Sequence, residues 1–445
     1  MKIKLKKGLR LSLAGALPAN ATATAAESRV FAIYPCDFPG FVPKVDVKEG
    51  EEVACGTAVM HDKNHPEVKL VSPVAGKVKA VVRGERRKVI RIEVEAGESR
   101  TESPVFKKPS EVGAIKEFLA LSGLLAFMRQ RPYDIVPNPS DKVRDIFVTA
   151  FDEAPLAPDY SVFSGIFKAD DYQAGIDLLS EISEGKVYIS HKAGFAYTAL
   201  KGAEMVEFEG AYPASNAGVQ IANISPVDKG EVVWTLDFAT VGRIGRLVRT
   251  GVCDFQTIVA VVGPEVEKPS LVSTICGASI APILEGKLKS TNRNLRIISG
   301  NVFTGIADSA DAFIHFPYRQ ITVIYEGDDV DEFMGWASFS PKKMSESSSF
   351  PGRFFSKVFS PDARINGGRR AMIVSGQYDK FMPMDILPEY LIKAILSNNI
   401  DDMEKLGIYE VAPEDFAAAE YADTSKLPLQ KIVRDGLDNL RKELE

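Results

Sequence analysis

The spacing of apolar residues changes character several times along the chain, and that succession constrains the fold more than any other feature. Residues 28–100 carry short β-rich runs at 42–47, 57–60, 68–71, 77–82 and 89–94, punctuated by Gly50, Gly56, Gly76 and Gly84. Runs of that length bounded by glycine read as strands. Residues 101–255 then alternate, with strands at 146–150, 187–190, 205–208 and 232–238 and helices at 172–182 and 240–250. The first of these helices buries Ile176, Leu179 and Ile182 on one face; the second stops at Gly251, the natural left-handed residue. Ser110 is placed to cap a preceding helix through Ala114, Ile115, Phe118 and Leu119, and Pro132, Pro137 and Pro139 end that region. Strand–helix alternation at these lengths favours a Rossmann-like α/β layer. Residues 256–330 return to short strands (257–262, 295–299 and 321–326) around a helical 281–285, which suits a small β-grasp, soluble-ligand-binding unit. Residues 360–445 are mainly helical, at 388–396, 401–406, 413–421 and 429–444.

At 445 residues the chain is too long for one ordinary core. The expectation is an α/β multidomain protein. Its parts are an N-terminal hairpin plus β domain at 1–100, a Rossmann-like domain at 101–255, a β-grasp domain at 256–330, a linker at 331–359 and a C-terminal helical domain at 360–445. The hairpin comes from Ile3 and Leu5, then Leu9, Leu11 and Leu13, which alternate around a Lys7-Gly8 turn. The same stretch imitates a secretory signal, with Lys2, Lys4, Lys6 and Lys7 ahead of leucines and two Ala-x-Ala sites. Arg10 interrupts its apolar run, and Gly8, Ser12 and Gly15 dilute it, so it is expected to belong to the mature protein. The stretch 44–53 with Ser72-Pro73-Val74-Ala75-Gly76 resembles the barrel-sandwich fold of biotinyl and lipoyl carrier domains. Lys63 is offset from the lipoyl position and the biotinyl Met-Lys pair is absent, so the fold is expected without the modification.

A net charge of −6 argues against nucleic acid as a partner. Residues 1–100 hold 18 Lys and Arg against 12 Asp and Glu. Such a basic unit suits an acidic partner or an anionic membrane, and equally a solvated face. The four cysteines, Cys36, Cys55, Cys253 and Cys276, form no CxxC pair, as in a reducing compartment. No stretch approaches the ~18–20 apolar residues that cross a bilayer, so membrane contact is expected to be peripheral.

Residues 333–359 interleave Phe333, Trp336, Phe339, Phe350, Phe354, Phe355 and Phe359 with Lys342, Lys343, Arg353 and Lys357. Rings at headgroup depth beside cations suit a membrane interface. A linker whose rings pack on neighbouring domains gives the same pattern.

The absences narrow the chemistry. No GxGxxG follows a strand and no GxxxxGK[ST] occurs. The nearest glycine signal, Gly242-Arg243-Ile244-Gly245-Arg246, sets Arg243, Arg246 and Arg249 three apart, either for an anion or as a solvated face. His61 and His65 have helical metal-ligand spacing but lie in a hairpin before Pro66; His191 and His315 are isolated. Paired carboxylates at Glu51-Glu52, Asp328-Asp329 and Asp401-Asp402 sit at turns or helix starts. No catalytic or metal residue is assigned. The residues alone read as a soluble, cytosolic, multidomain α/β protein without evident catalytic apparatus.

Several segments in order along nearly the whole chain are similar to the A subunit of sodium-translocating NADH:quinone reductases. They are Ile3-Lys4-Leu5-Lys6-Lys7-Gly8-Leu9 with Ala14-Gly15, Phe147-Val148-Thr149-Ala150-Phe151-Asp152-Glu153-Ala154-Pro155-Leu156-Ala157, Phe208-Glu209-Gly210 with Pro213-Ala214 and Gly218, and Gly263-Pro264-Glu265-Val266. The strongest is Gly376-Gln377-Tyr378-Asp379-Lys380-Phe381-Met382-Pro383-Met384-Asp385-Ile386-Leu387-Pro388. The family resembles in architecture the flavoprotein subunit of respiratory complex I and the C subunit of Rnf complexes, which bind FMN, NADH and an iron–sulfur cluster. This chain departs from them. The loop 8–17 has too few glycines for the flavin pattern, and Tyr421-Ala422-Asp423-Thr424-Ser425-Lys426 offers no cysteine for a cluster.

The resemblance therefore implies a scaffold that binds no cofactor of its own, with FMN, FAD, riboflavin, iron–sulfur and NADH on other subunits. It implies quinone as substrate and five other subunits as partners, chiefly the membrane-embedded B subunit. It also implies a peripheral place on the cytoplasmic side of the bacterial inner membrane, without signal peptide or transmembrane helix. A quinone site needs an apolar wall and hydrogen-bond donors. One candidate is the aromatic segment with Trp336, Phe339, Phe350, Phe354 and Phe355; a second is Phe208, Gly210 and Pro213, where the related scaffolds hold flavin. Glycine and proline there equally shape a turn. Three other functions stay open: a structural cap of the same complex, a flavin or NADH dehydrogenase subunit, and a carrier module modified at Lys63.

Overall fold

The computed structural model describes residues 1–97, 102–328, 337–341, 343–346, 349–355 and 357–444. Its N-terminal unit is a pair of facing sheets, the barrel-sandwich arrangement. Strands Val30–Ile33, Val89–Ala96, Gly76–Arg83 and Glu52–Val53 form one sheet, and Pro43–Val45, Ala58–Asp62 and Lys69–Val71 the other. Val53, Val59, Met60, Leu70, Val78 and Ile92 are buried between them. Strand Gly76–Arg83 starts with buried Gly76 and Val78 alternating with exposed Lys77 and Lys79, the period of a half-buried strand. A Cβ at Gly76 would lie 2.0 Å from the Glu95 carbonyl oxygen, so only glycine fits that crossing.

The second unit holds a six-stranded sheet. Strand Asp145–Thr149 lies inside it, with Val187–His191 and then Glu204–Glu209 on one side and Val233–Asp237 on the other, all parallel. Lys2–Lys4 extends one edge in parallel and Arg129–Arg131 the other in antiparallel. Ile146, Phe147 and Val148 are all fully buried, as a strand covered on both faces requires. Phe147 packs with Ile221 of helix Ala217–Ile224. Ile146 and Val148 belong to the large core with Ile176, Leu179 and Ile244 of helices Ala169–Ile182 and Phe238–Thr250.

Those two helices meet through glycine. A Cβ at Gly245 would lie 1.6 Å from the Asp171 carbonyl oxygen, and one at Gly175 2.3 Å from that of Val241. Gly245 of the 242–246 stretch therefore serves a close helix crossing, while a Cβ at Gly242 would meet the Phe167 ring at 2.6 Å. The arginines of helix Phe238–Thr250 are paired as well. Arg246 reaches Asp171 and Asp254, Arg249 reaches Asp171, and buried Arg243 donates to the Gln256 carbonyl. The helix does end at Gly251, whose φ is 74°. Ser110 does not cap its helix; Val112–Leu121 starts after Glu111 without a side-chain cap.

The third unit is a mixed sheet in the order Ile306–Asp308, Leu295–Ser299, Gln320–Tyr325, Gln256–Val262, Ser270–Ile275 and Ala23–Ala25. In the C-terminal unit, helices Pro388–Leu396, Ile400–Lys405, Ala417–Ala422 and Leu429–Leu444 enclose Leu391, Met403, Phe416, Val433 and Leu437.

The expected N-terminal hairpin is not formed. Lys2–Lys4 pairs with Glu204–Glu209 instead, Gly8 donates to the Lys380 carbonyl, Leu9 bridges Tyr212, Leu13 bridges Phe359, and Ala23–Ala25 joins the third sheet. The alternation that suggested two paired strands is real, but period 2 says only that one side is covered. Here the covering comes from partners distant in sequence.

Candidate functional site

An open α/β sheet binds ligands where consecutive connections leave in opposite directions, at the carboxyl ends of the two strands involved. In this sheet that point lies between Asp145–Thr149 and Val233–Asp237. Their last residues, Thr149 and Asp237, line a cavity of about 420 Å³. All four units contribute to its wall, among them Asp37, Arg131, Tyr318, Arg319 and Glu414.

Local folding fixes each side chain. Asp237 caps helix Phe238–Thr250 by accepting from the Thr240 N–H at 2.6 Å and also takes the Arg319 guanidinium. Burial alone would raise its carboxyl, but Arg319 and Arg243 hold it below the usual range. Arg319 donates as well to the Tyr160 hydroxyl, joining the second and third units. Thr149 donates to Gln220 at 2.8 Å.

Arg131 is only 1% exposed, and its Nε and Nη1 have no hydrogen-bond partner. Its Nη2 donates to Glu414 at 3.5 Å, while Nε and Nη1 face Asp134 at 3.6 Å and Asp415 at 3.8 Å, beyond hydrogen-bond reach. Burial and the adjacent Asp415 push the Glu414 carboxyl up to about 8. Its accessible part, 42% of the side chain, belongs to the cavity lining.

Beside the cavity runs a narrower, aromatic slot of about 60 Å³, with Asp37, Phe127, Phe316, Tyr318 and Arg319 lining both spaces. Phe316 lies 4.3 Å from Phe127 and 5.3 Å from Phe38, centroid to centroid, and the Arg129 guanidinium sits 5.6 Å over the Phe316 ring. At the same junction His315 stands between two carboxylates. Its Nδ1 is 2.6 Å from Asp37 and its Nε2 3.3 Å from Asp308. Burial lowers the imidazole, yet the flanking carboxylates raise it above its ordinary value.

The residues expected to bind quinone are scattered. Phe208 is buried in a small core with Phe151, Ile3 and Leu5. Gly210 packs against Leu5 and Ala214, and Pro213 follows Tyr212, which does line the cavity. Phe350 is buried, whereas Phe339, Phe354 and Phe355 are 96%, 72% and 75% exposed. Phe333 and Trp336 lie outside the described residues. His61, set aside as a metal ligand, pairs with Asp46 at 2.6 Å on a strand, so the helical spacing with His65 has no helix behind it. The cavity's own residues, Arg131, Asp237, Arg319 and Glu414, were missed. A sequence signal existed for one: Asp237 ends a strand and opens a helix.

Residues 3–97 match the family described as the NqrA N-terminal barrel-sandwich hybrid domain, residues 111–253 the NqrA second alpha/beta domain, and residues 258–308 the NQRA C-terminal domain. The A subunit of the Na(+)-translocating NADH-quinone reductase of Hahella chejuensis is 35% identical over 450 residues, covering 99% of this chain and all of that protein (100%). This chain belongs to the family of Na(+)-translocating NADH-quinone reductase A subunits. Family members from Yersinia pestis and Neisseria meningitidis are each 34% identical, over 450 and 453 residues, covering 99% of this chain and 100% of theirs. Among solved structures, a chain of an NAD+-reducing [NiFe]-hydrogenase in its H2-reduced state aligns with a TM-score of 0.38 at 11% identity. That alignment covers 75% of this chain and 61% of the other. Among the described residues no helix is long and apolar enough to cross a membrane.

Proposed function

We propose that the chain is the peripheral A subunit of a sodium-pumping NADH:quinone reductase, and that it receives a quinone head group in the cavity at the switch point. The observation that carries this reading is Arg131, buried in the wall with its Nε and Nη1 held by ion pairs at 3.6 and 3.8 Å but by no hydrogen bond. A buried donor without a hydrogen bond is expensive, and a carbonyl oxygen entering the cavity relieves it. The adjoining slot of Phe38, Phe127 and Phe316 supplies faces on which a planar ring or an apolar tail packs. In this reading the second unit is Rossmann-like, the third a β-grasp domain and the C-terminal unit helical.

In this reading the chain holds no redox centre. NADH, the flavins and iron–sulfur reside on the other five subunits, and the sodium path, which needs carboxylates within the membrane, lies there too. The chain sits at the cytoplasmic face and docks chiefly on the membrane-embedded B subunit through the exposed Phe339, Phe354 and Phe355.

The test is titration of the purified chain with a soluble short-tail quinone, following tryptophan fluorescence; Trp234 neighbours Thr235 of the cavity wall. Saturable quenching at micromolar concentration is expected, weakened roughly tenfold or more by Arg131→Met, which forfeits over 1 kcal/mol of binding. Absence of quenching overturns the quinone site and leaves a structural cap. A flavin absorbance band in the same sample would restore the dehydrogenase reading.

A further inference from the structure

We infer that Cys36, Asp37 and His315 form a binding site for one divalent transition-metal cation of the zinc or cobalt type, with an open coordination position toward the cavity. One donor atom from each residue, Sγ, a carboxylate oxygen and an imidazole nitrogen, lies within 4.8 Å of the other two. Thiolate, carboxylate and imidazole are the donor set that a borderline-soft tetrahedral cation takes. Metal–ligand bonds of about 2.0–2.3 Å place tetrahedral donors roughly 3.3–3.8 Å apart. Cys36 Sγ and Asp37 Oδ1 already stand at 3.8 Å. Asp37 Oδ1 and His315 Nδ1 are closer, at 2.6 Å, the spacing of a shared proton. Replacing that proton by a cation needs this pair to open by roughly 0.7 Å or more to reach ligand spacing.

The surroundings support the ligands as a metal site's outer residues do. Asp308 stands 3.3 Å from His315 Nε2, on the far side of the ring, so that nitrogen keeps its proton and Nδ1 turns its lone pair to the site. The other Asp37 oxygen accepts from the Phe316 N–H at 2.9 Å, which orients the carboxylate and leaves Oδ1 available. Tyr34 stacks on the imidazole with centroids 4.0 Å apart and restrains its rotation. A thiolate and a carboxylate balance the cation's two charges, and the neutral imidazole adds none. Cys36 and Asp37 both line the cavity, so a fourth position facing it takes water or a ligand oxygen. Such a cation would join the Pro35–Asp37 turn of the first unit to the loop before strand Gln320–Tyr325 of the third.

The experiment uses the full chain, stripped with a chelator and titrated with Co2+ alone. The expected result is a near-ultraviolet thiolate-to-cobalt band with the visible bands of a tetrahedral ion, both saturating at one equivalent and bleached by added Zn2+. Cys36→Ser should abolish the near-ultraviolet band, while Cys55→Ser leaves it intact. Asp308→Asn should keep the band but weaken binding roughly 10–100-fold, the usual loss for an outer-shell carboxylate. Circular dichroism and a thermal melt confirm that each variant is folded. No stoichiometric band in the folded wild-type chain, or a band that survives Cys36→Ser, overturns the site.

Discussion

Arg131, Asp134, Glu414 and Asp415 put one cation among three carboxyl groups at the cavity wall. Two acids side by side cannot both ionise freely, so burial and Asp415 together push Glu414 up to about 8. A carboxyl raised from its ordinary 4.5 holds more protons in the folded state than in the unfolded one across that interval. Its contribution to stability is therefore full below about 4.5, falls as pH rises, and levels off above about 8. Glu414→Gln keeps the neutral shape at every pH. Relative to wild type it should gain little at pH 5 and, discounting for the side chain's accessibility, on the order of 1–2 kcal/mol at pH 9. Thermal melts across that range check it, and an unchanged difference would contradict the raised value. The same residue scale explains why the site was hard to read. Arg131, Asp237, Arg319 and Glu414 occur in four unrelated stretches without common spacing or motif, and apart from Asp237 at its strand–helix junction nothing local marks them. Asp37 and His315 are 278 residues apart yet share a hydrogen bond.

Elements were more legible, because their signals are periodic and short in range. The strands 145–149, 187–191 and 233–237 and the two long helices, one between the first two strands and one after the last, fall where apolar runs and i, i+3 spacing predict. Partners are another matter. Gly245 reads as part of a glycine signal and Gly175 carries no signal, until the crossing shows a backbone in the place of each missing side chain. Gly245→Ala should cost about 2–3 kcal/mol, the range of an overpacked core with little room to shift. Gly113, in helix Val112–Leu121, has nothing within 4 Å of where a Cβ would lie. Gly113→Ala should instead stabilise by about 0.5–1 kcal/mol through helix propensity and reduced chain entropy. Chemical denaturation of the two variants gives opposite signs if the crossing is as described.

At the scale of the whole molecule, the first 25 residues work as a stitch: they enter the second unit's sheet, touch the C-terminal unit, and end in the third unit's sheet. The cavity depends on that assembly, since its wall draws on every unit. The surface carries a separate feature in Phe339, Phe354 and Phe355, whose rings face solvent. Replacing all three with serine should leave the melting midpoint nearly unchanged, because exposed apolar side chains contribute within roughly ±0.5 kcal/mol each. It should sharply reduce reassociation with the membrane subunits, read by co-sedimentation with membranes depleted of this chain. Full reassociation of the triple variant would place docking elsewhere.

By itself the sequence determined the succession of strand-rich, alternating and helical stretches, the stop at Gly251 and the family resemblance carried by ordered fragments from the first strand to Gly376–Pro388. These follow from local backbone preference and from apolar periodicity, which act over a few residues and leave a visible pattern. Only the tertiary structure decided that the N-terminal residues form no hairpin, that Phe208 belongs to a core, and that Cys36, Asp37 and His315 meet. Pairing partners and buried charge clusters arise from burial and Coulomb attraction between segments far apart in the chain, and such long-range forces leave no periodic trace in the residues that feel them.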